Sequence, residues 1–232
     1  VRGCVEAFEA AVSDGWVCWA FSNHDVVRHV SRWTQLGSDP DTVARFSIML
    51  LCCLRGSICL YEGEELGLEE AELAFEDLRD PVGIRFWPGV KGRDGCRTPM
   101  VWEAGADNAG FSSGKPWLPV PASHRARAVD VQNADIASVL TFYRATLALR
   151  REHEALITGS IRFLDAEGDV LAFIREGGGE RLLCVFNFAG VPANWPLPRD
   201  IGSVAGLGGD AAVVEDAELS LPALGCFLGR LD

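Results

Sequence analysis

The sequence predicts an α/β fold that passes into a small antiparallel β domain, and three observations predict it. A short apolar run, Trp16–Phe21, breaks off into a polar cluster, as a strand buried on both faces does. A helical pattern precedes that run, and a second helix-then-strand pair follows it. Past Ile157 the pattern turns to short strands joined by glycine-rich turns.

The elements follow in order. Val5, Phe8 and Val12 recur at helical spacing over Val1–Asp14, with Gly15 placed to end that helix. The strand Trp16–Phe21 then runs into Ser22-Asn23-His24-Asp25, with Arg28 three residues on. Donors, acceptors and ionisable groups at the C-terminal tip of a buried parallel strand are where α/β folds place chemistry. Turn formation and helix capping by Asn23 and Asp25 are the plainer alternative. Ser38-Asp39-Pro40-Asp41, with a capping side chain and a Pro in the first turn, starts a helix whose face carries Val43, Phe46, Leu50 and Leu54, with Gly56 placed to stop it. Ser57–Tyr61 is a second short buried strand, leading into Glu62-Gly63-Glu64-Glu65.

Residues 69–134 are mainly irregular, far longer than a routine connection, and loops of that length are usually functional. Helix returns over Asp135–Leu156, with Ile136, Val139, Leu140, Tyr143 and Leu147 on one stripe; Arg150 and Arg151 suit the dipole at its end. Strands are expected at Ser160–Leu164, Asp169–Ile174, Arg181–Phe188, Val213–Glu215, Glu218–Leu221 and Cys226–Leu228. The division is residues 1–156 for the α/β part and 157–232 for the all-β domain.

Composition sets the limits. With 232 residues and 48% hydrophobic there is ample material for a core, so disorder is not expected. The net charge of −12 argues against nucleic acid, which needs a basic footprint. No apolar run is long enough to span a membrane. The eight cysteines show no C-x-x-C pair or zinc-type spacing, and most sit in apolar runs. Reading them as reduced and buried points to the cytoplasm, with the periplasm as the alternative.

The stretch FSNHDVVR, Phe21–Arg28, resembles the strand-seven signature of the α-amylase family of glycoside hydrolases. GSICLYEGEELGL, Gly56–Leu68, resembles the strand-eight segment of the same family. The series RTPM-x-W, AGFSSG and KPWLPV, within Arg97–Val120, resembles the loop after strand eight in bacterial α-glucosidases and oligo-α-glucosidases. This is the most specific match.

The resemblance implies the C-terminal part of a (β/α)8 TIM barrel, about strands seven and eight with their helices, followed by a β domain. It implies retaining hydrolysis of terminal non-reducing α-linked glucose from short oligosaccharides. It makes Asp25 the transition-state stabiliser, and His24, Arg28, Arg93 and Arg97 substrate-binding residues. Arg93 and Arg97 alternatively form buried ion pairs with Asp94 or an acid elsewhere. Arg28 departs in context, since many relatives carry Pro where Val27 stands. Tyr61, Glu64 and Glu65 would form a scaffold beneath the sugar site, or make only local loop contacts. Trp87, Trp102 and Trp117 are candidates to stack on sugar, with most of them expected in the core.

Retaining glycosidases need two carboxyl groups roughly 5 Å apart. The family takes them from strands four and five, so both are expected upstream of Val1 and residues 1–232 alone are expected to be inactive. An α-glucosyl transferase, a sucrose-isomerising enzyme and a non-catalytic relative are the alternatives. No cofactor or metal is implied by the motifs present, although some relatives bind a cation near the start of the barrel. The expected partner is a small α-glucoside, with neither nucleic acid nor membrane, and the oligomeric state is open.

Overall fold

Two short parallel strands and the helices that cover them make the first part of the fold. The computed structural model describes residues 1–12, 14–34, 38–209, 213–215 and 217–232. Helix α1, Arg2–Ala11, buries Val5; the expected span reached Asp14, and Ser13 lies outside the described residues. Strand β1, Cys18–Trp19, pairs in parallel with β2, Ser57–Ile58, matching Cys18 to Ser57 and Trp19 to Ile58. Helix α2, His29–Trp33, follows β1, and α3, Pro40–Cys53, connects to β2.

The N-terminus of α3 forms as its sequence predicts. The Asp39 carboxylate accepts from the amides of Asp41 and Thr42, and Pro40 fills the first turn, where no amide donor is needed. Ten of its fourteen residues are buried, among them Phe46, Leu50 and Cys53.

Burial of Trp16–Phe21 on both faces is not what the structure has. Trp19 and Phe21 pack toward the helix core, while Trp16, Cys18 and Ala20 on the opposite face are exposed. Within residues 1–232, β1 and β2 pair only with each other, and none of the described residues covers their second face. The same exposure corrects the cysteine reading: Cys52, Cys53, Cys96, Cys184 and Cys226 are buried, but Cys4, Cys18 and Cys59 are exposed.

The long segment after β2 carries short helices α4 (Pro81–Phe86), α5 (Ala122–Arg125) and α6 (Val129–Asn133) and a core of its own. Leu66, Leu68, Val101, Ala109, Ala128 and Leu140 make that core. Helices α7, Val139–Glu152, and α8, Glu154–Ile157, close this part. Ser138 caps α7 by accepting from the Thr141 amide, so Ile136 falls before the helix and is 90% exposed rather than part of its stripe. Arg150 is buried, and its guanidinium reaches carbonyls beyond α3 rather than solvent at its own helix end.

The remainder is antiparallel. Strands β3 (Ser160–Phe163), β4 (Val170–Gly177), β5 (Glu180–Asn187), β10 (Cys226–Leu231) and β7 (Val204–Gly208) form one sheet in the order β3-β4-β5-β10-β7. Strands β6 (Ala193–Pro196), β9 (Glu218–Leu221) and β8 (Val213–Glu215) form a second. The β4–β5 hairpin turns at Gly178-Gly179, both at positive φ, the conformation its tight turn demands. Alternation along these strands builds two cores. Phe173, Leu182, Cys184 and Phe186 face α3, while Ile174, Leu183 and Val185 face Trp195 and Leu219 of the second sheet. β6 and β7 are additions to the strands expected from sequence.

Candidate active site at the tip of β1

The residues Ser22–Arg28 form a loop bracketed at both ends. The amide of His29, at the start of α2, donates to Ser22 Oγ at 2.9 Å, and Ser22 Oγ lies 3.0 Å from His29 Nδ1. Within the bracket, Asn23 Oδ1 accepts from the Asp25 amide at 2.8 Å, an Asx turn that lifts His24 and Asp25 to the surface. The turn expected as the plainer reading of Asn23 and Asp25 is therefore present.

Asp25 is 52% exposed at its side chain and is held by two arginines. Its Oδ1 accepts from Arg93 Nη1 at 2.9 Å and from Arg97 Nη2 at 3.0 Å. Arg97 Nε also donates to the His24 carbonyl at 2.7 Å, so one guanidinium grips both backbone and side chain of the pair. His24 Nε2 lies 3.3 Å from Asp25 Oδ2. The structure thus brings together His24, Asp25, Arg93 and Arg97, four of the five residues singled out from sequence. The hydrogen bond from Arg93 is the main cause holding the Asp25 carboxyl below the usual carboxylate range, with His24 and the charges of both arginines adding to it.

Arg93 is itself fixed from behind by Asp80. Its Nε and Nη2 donate to the two Asp80 oxygens at 2.8 and 3.1 Å, a fork matched to a carboxylate. Asp80 is buried and also caps α4, accepting from the Val82 amide. Asp94, expected as a possible ion-pair partner, instead accepts the Arg79 and Asp80 amides on Oδ2 at 2.6 and 2.7 Å. Asp94 thus holds Asp80, Asp80 holds Arg93, and Arg93 holds Asp25. Glycine permits the close approach: a Cβ on Gly83 would stand 2.5 Å from the Lys91 carbonyl. Arg93 holds the Asp80 carboxyl far below its ordinary value, and Asp80, then Asp25, raise Arg93.

Arg28, expected to bind substrate, does not belong to this surface. Its side chain is 1% exposed and spent on protein acceptors: Glu62 O at 2.6 Å, Glu62 Oε1 at 2.7 Å and Cys96 O at 3.0 Å. The Tyr61 ring lies 5.3 Å from its guanidinium carbon, and Tyr61 Oη donates to the same Cys96 carbonyl. The two terminal nitrogens of the planar group make this clamp between the β1 tip, the turn after β2 and the Cys96 turn, while Nε is buried without a hydrogen-bond partner among the described residues. Of the three residues expected beneath the site, Tyr61 joins that clamp, Glu64 is buried 3.5 Å from His29 Nδ1, and Glu65 is half-buried. Trp87, Trp102 and Trp117 are exposed, not core.

Asp80 and Glu62 escaped the sequence reading. The Asp80-Pro81 pair signals a helix cap, but nothing local announces that the carboxylate's other role is to seat an arginine thirteen residues on. Among the described residues there is no group of three or more His, Cys, Asp or Glu that could hold a metal ion. Among them, too, no helix is long and apolar enough to cross a membrane.

Residues 3–159 match the family described as Alpha amylase, catalytic domain, and residues 161–228 match Maltogenic Amylase, C-terminal domain. A probable alpha-glucosidase of Rhizobium meliloti is 52% identical over 225 residues, covering 97% of this chain and 40% of that protein. A glucan 1,6-alpha-glucosidase of Streptococcus pneumoniae is 32% identical, covering 84% of this chain and 40% of its own length. The crystal structure of an alpha-glucosyl transfer enzyme, XgtA, superposes with a TM-score of 0.92 at 50% identity, over all of this chain and 43% of that one. The chain spans about 40% of the length of the curated relatives it matches. The chain belongs to the α-amylase family, in which it forms the C-terminal part of the (β/α)8 barrel and the antiparallel β domain that follows.

Proposed function

We propose that this chain supplies the charge-stabilising aspartate and the arginine frame of a retaining α-glucosidase. Its substrate is the terminal non-reducing α-linked glucose of short oligosaccharides. Nucleophile and acid/base come from sequence outside residues 1–232. The observation that carries the reading is the exposed Asp25 carboxylate, held by Arg93 and Arg97 at the C-terminal end of β1.

The chemistry follows from that geometry. A carboxylate kept ionised by two cations is a poor proton donor, so Asp25 is neither acid nor shuttle. It offsets the positive charge that develops on the sugar ring, and its preset position spares reorganisation as the bond breaks. Because both arginines bind Oδ1, Oδ2 faces only the exposed His24 imidazole, and this exposed pair is the part of the group open to ring hydroxyls. The other carboxylate of the network, Asp80, is buried and occupied by Arg93, so it cannot serve as the second group of a hydrolytic pair.

The test is Asp25→Asn in the intact gene product that carries this chain. Turnover of p-nitrophenyl α-glucoside should fall about 10²–10³-fold with unchanged circular dichroism. A loss smaller than tenfold would end the reading. A second reading, transfer of glucose to an acceptor other than water, is favoured by the likeness to XgtA, described as an alpha-glucosyl transfer enzyme. Chromatography of the products from maltose separates the two: transfer yields one trisaccharide for each glucose released from the donor, whereas hydrolysis yields two glucoses and no trisaccharide.

A further inference from the structure

The most exposed tryptophan of the chain lies outside the Asp25 site and lines a depression of its own. Trp117 is 63% exposed, in the segment Lys115-Pro116-Trp117-Leu118, and Leu118 beside it is buried at 1%. The depression has a volume of about 280 Å³ and is lined by Trp117 together with Asp77, Arg79, Asn108 and Lys115. That is close to the roughly 300 Å³ at which small-ligand clefts begin, so it suits one or two rings rather than an extended ligand.

Its walls are set before any ligand arrives. Asn108 Nδ2 donates to the carbonyls of Ser112 and Gly114, both at 2.9 Å, which staples the loop leading into Lys115. On the far wall, Arg125 Nη1 donates to the carbonyls of Ala104 and Ala106 at 2.9 and 2.7 Å. The third wall is tied down where the Arg79 amide donates to Asp94. A bed held this way loses little conformational freedom on binding.

We propose that this depression is a second carbohydrate site, taking a neutral pyranose unit of an oligosaccharide. The exposed indole offers a flat, electron-rich face to the C–H side of a sugar ring. Around it stand a donor, Lys115, and an acceptor, Asp77, the mixture that ring hydroxyls need. A purely anionic ligand fits less well. Asp77 opposes it, and the Arg79 and Arg125 guanidinium groups already donate to backbone carbonyls. The site does not depend on Asp25 for any contact.

Calorimetric titration of the intact gene product with maltotriose tests this, in an Asp25→Asn background to suppress turnover. Adding Trp117→Ala should lower the number of sugar sites per chain by one. Trp117→Phe, which keeps a ring, guards against misfolding and should retain the site at lower affinity. Lys115→Ala should weaken it by about three- to tenfold. If the glucosidase reading were wrong, a single site would be seen, still removed by Trp117→Ala. An unchanged site count in Trp117→Ala would overturn the proposal, and so would displacement of maltotriose by inorganic phosphate at this site.

Discussion

Arg28→Met is the substitution that separates a structural arginine from a substrate-binding one. Methionine fills much of the same volume but donates nothing, so the carbonyls of Glu62 and Cys96 lose charged donors at 2.6 and 3.0 Å. The Cys96 carbonyl keeps the Tyr61 hydroxyl, so the Glu62 carbonyl is the acceptor that loses its donor, at a cost of about 1–3 kcal/mol. The Glu62 carboxylate also loses its partner, but its side chain is 38% exposed and regains water, so its share is smaller. Breaking a buried pair typically costs about 3–5 kcal/mol, and the exposure of Glu62 places this one near 3. With a urea slope of about 1–3 kcal/mol/M, the unfolding midpoint should drop by about 1–3 M. Where the protein stays folded, KM for an aryl α-glucoside should stay within about twofold of the parent, since an uncontacted substrate keeps its binding energy. A midpoint within experimental error of the parent, accompanied by a tenfold rise in KM, would refute the clamp and restore Arg28 to the sugar.

Two further outcomes follow from the buried titratable groups. Asp80→Asn removes the charge and one acceptor from the fork that holds Arg93, leaving Asp25 chemically intact; kcat/KM should fall about 10²-fold through misplacement alone. Because the Asp80 carboxyl is depressed in the fold, its stabilisation is complete above about pH 4 and lost as the pH falls below it. Asp80→Asn should therefore flatten the acid limb of Tm against pH, and an unchanged limb would count against the pair. His124 is 1% exposed, between Thr98 Oγ1 at 3.1 Å and the Glu69 carbonyl at 2.8 Å, and burial pushes it down to about 4. The unfolded chain takes up that proton near pH 6.5, so stability is full above 6.5 and declines toward pH 4 by roughly 3 kcal/mol. His124→Gln should remove that slope in urea titrations between pH 7 and 4.

What could be read ahead of the structure was whatever depends on local order. The Asp39-Pro40 start of α3 is a contact within one helical turn, and the Asn23–Asp25 turn closes over two residues. The Asp25 group was legible through wording in two places, the Phe21–Arg28 stretch that holds His24 and Asp25 and the later loop that holds Arg93 and Arg97. The partners of Arg93 and Arg28 were not, since Asp80 and Glu62 lie 13 and 34 residues from them along the chain. Strands β6 and β7 were missed for a compositional reason. One ends in Pro196 and the other contains Gly206 and Gly208, so register with β9 and β10 rather than propensity makes them strands. Cys18 and Trp16 are exposed because, among the described strands, β1 pairs only with β2 and its second face has no neighbour within residues 1–232.

The β domain bears on the site through the segment that joins α3 to β2. That segment ends a deeply buried helix, and its last carbonyls would be unpaired without donors from elsewhere. Two buried arginines supply them from different elements. Arg150 of α7 donates to the carbonyls of Cys52, Leu54 and Gly56, and Arg175 of β4 donates to Cys53 O at 2.7 Å. Arg175 also binds the carbonyls of Gly159 and Ser160 at 2.9 and 3.0 Å, so it ties the start of the β domain to the end of α3. β2 begins directly after these carbonyls, and it leads within a few residues to Tyr61 and Glu62, which hold Arg28. The antiparallel domain is thus a brace on the strand that positions the site. Removing Arg175 should loosen the β1 tip without any contact to Asp25.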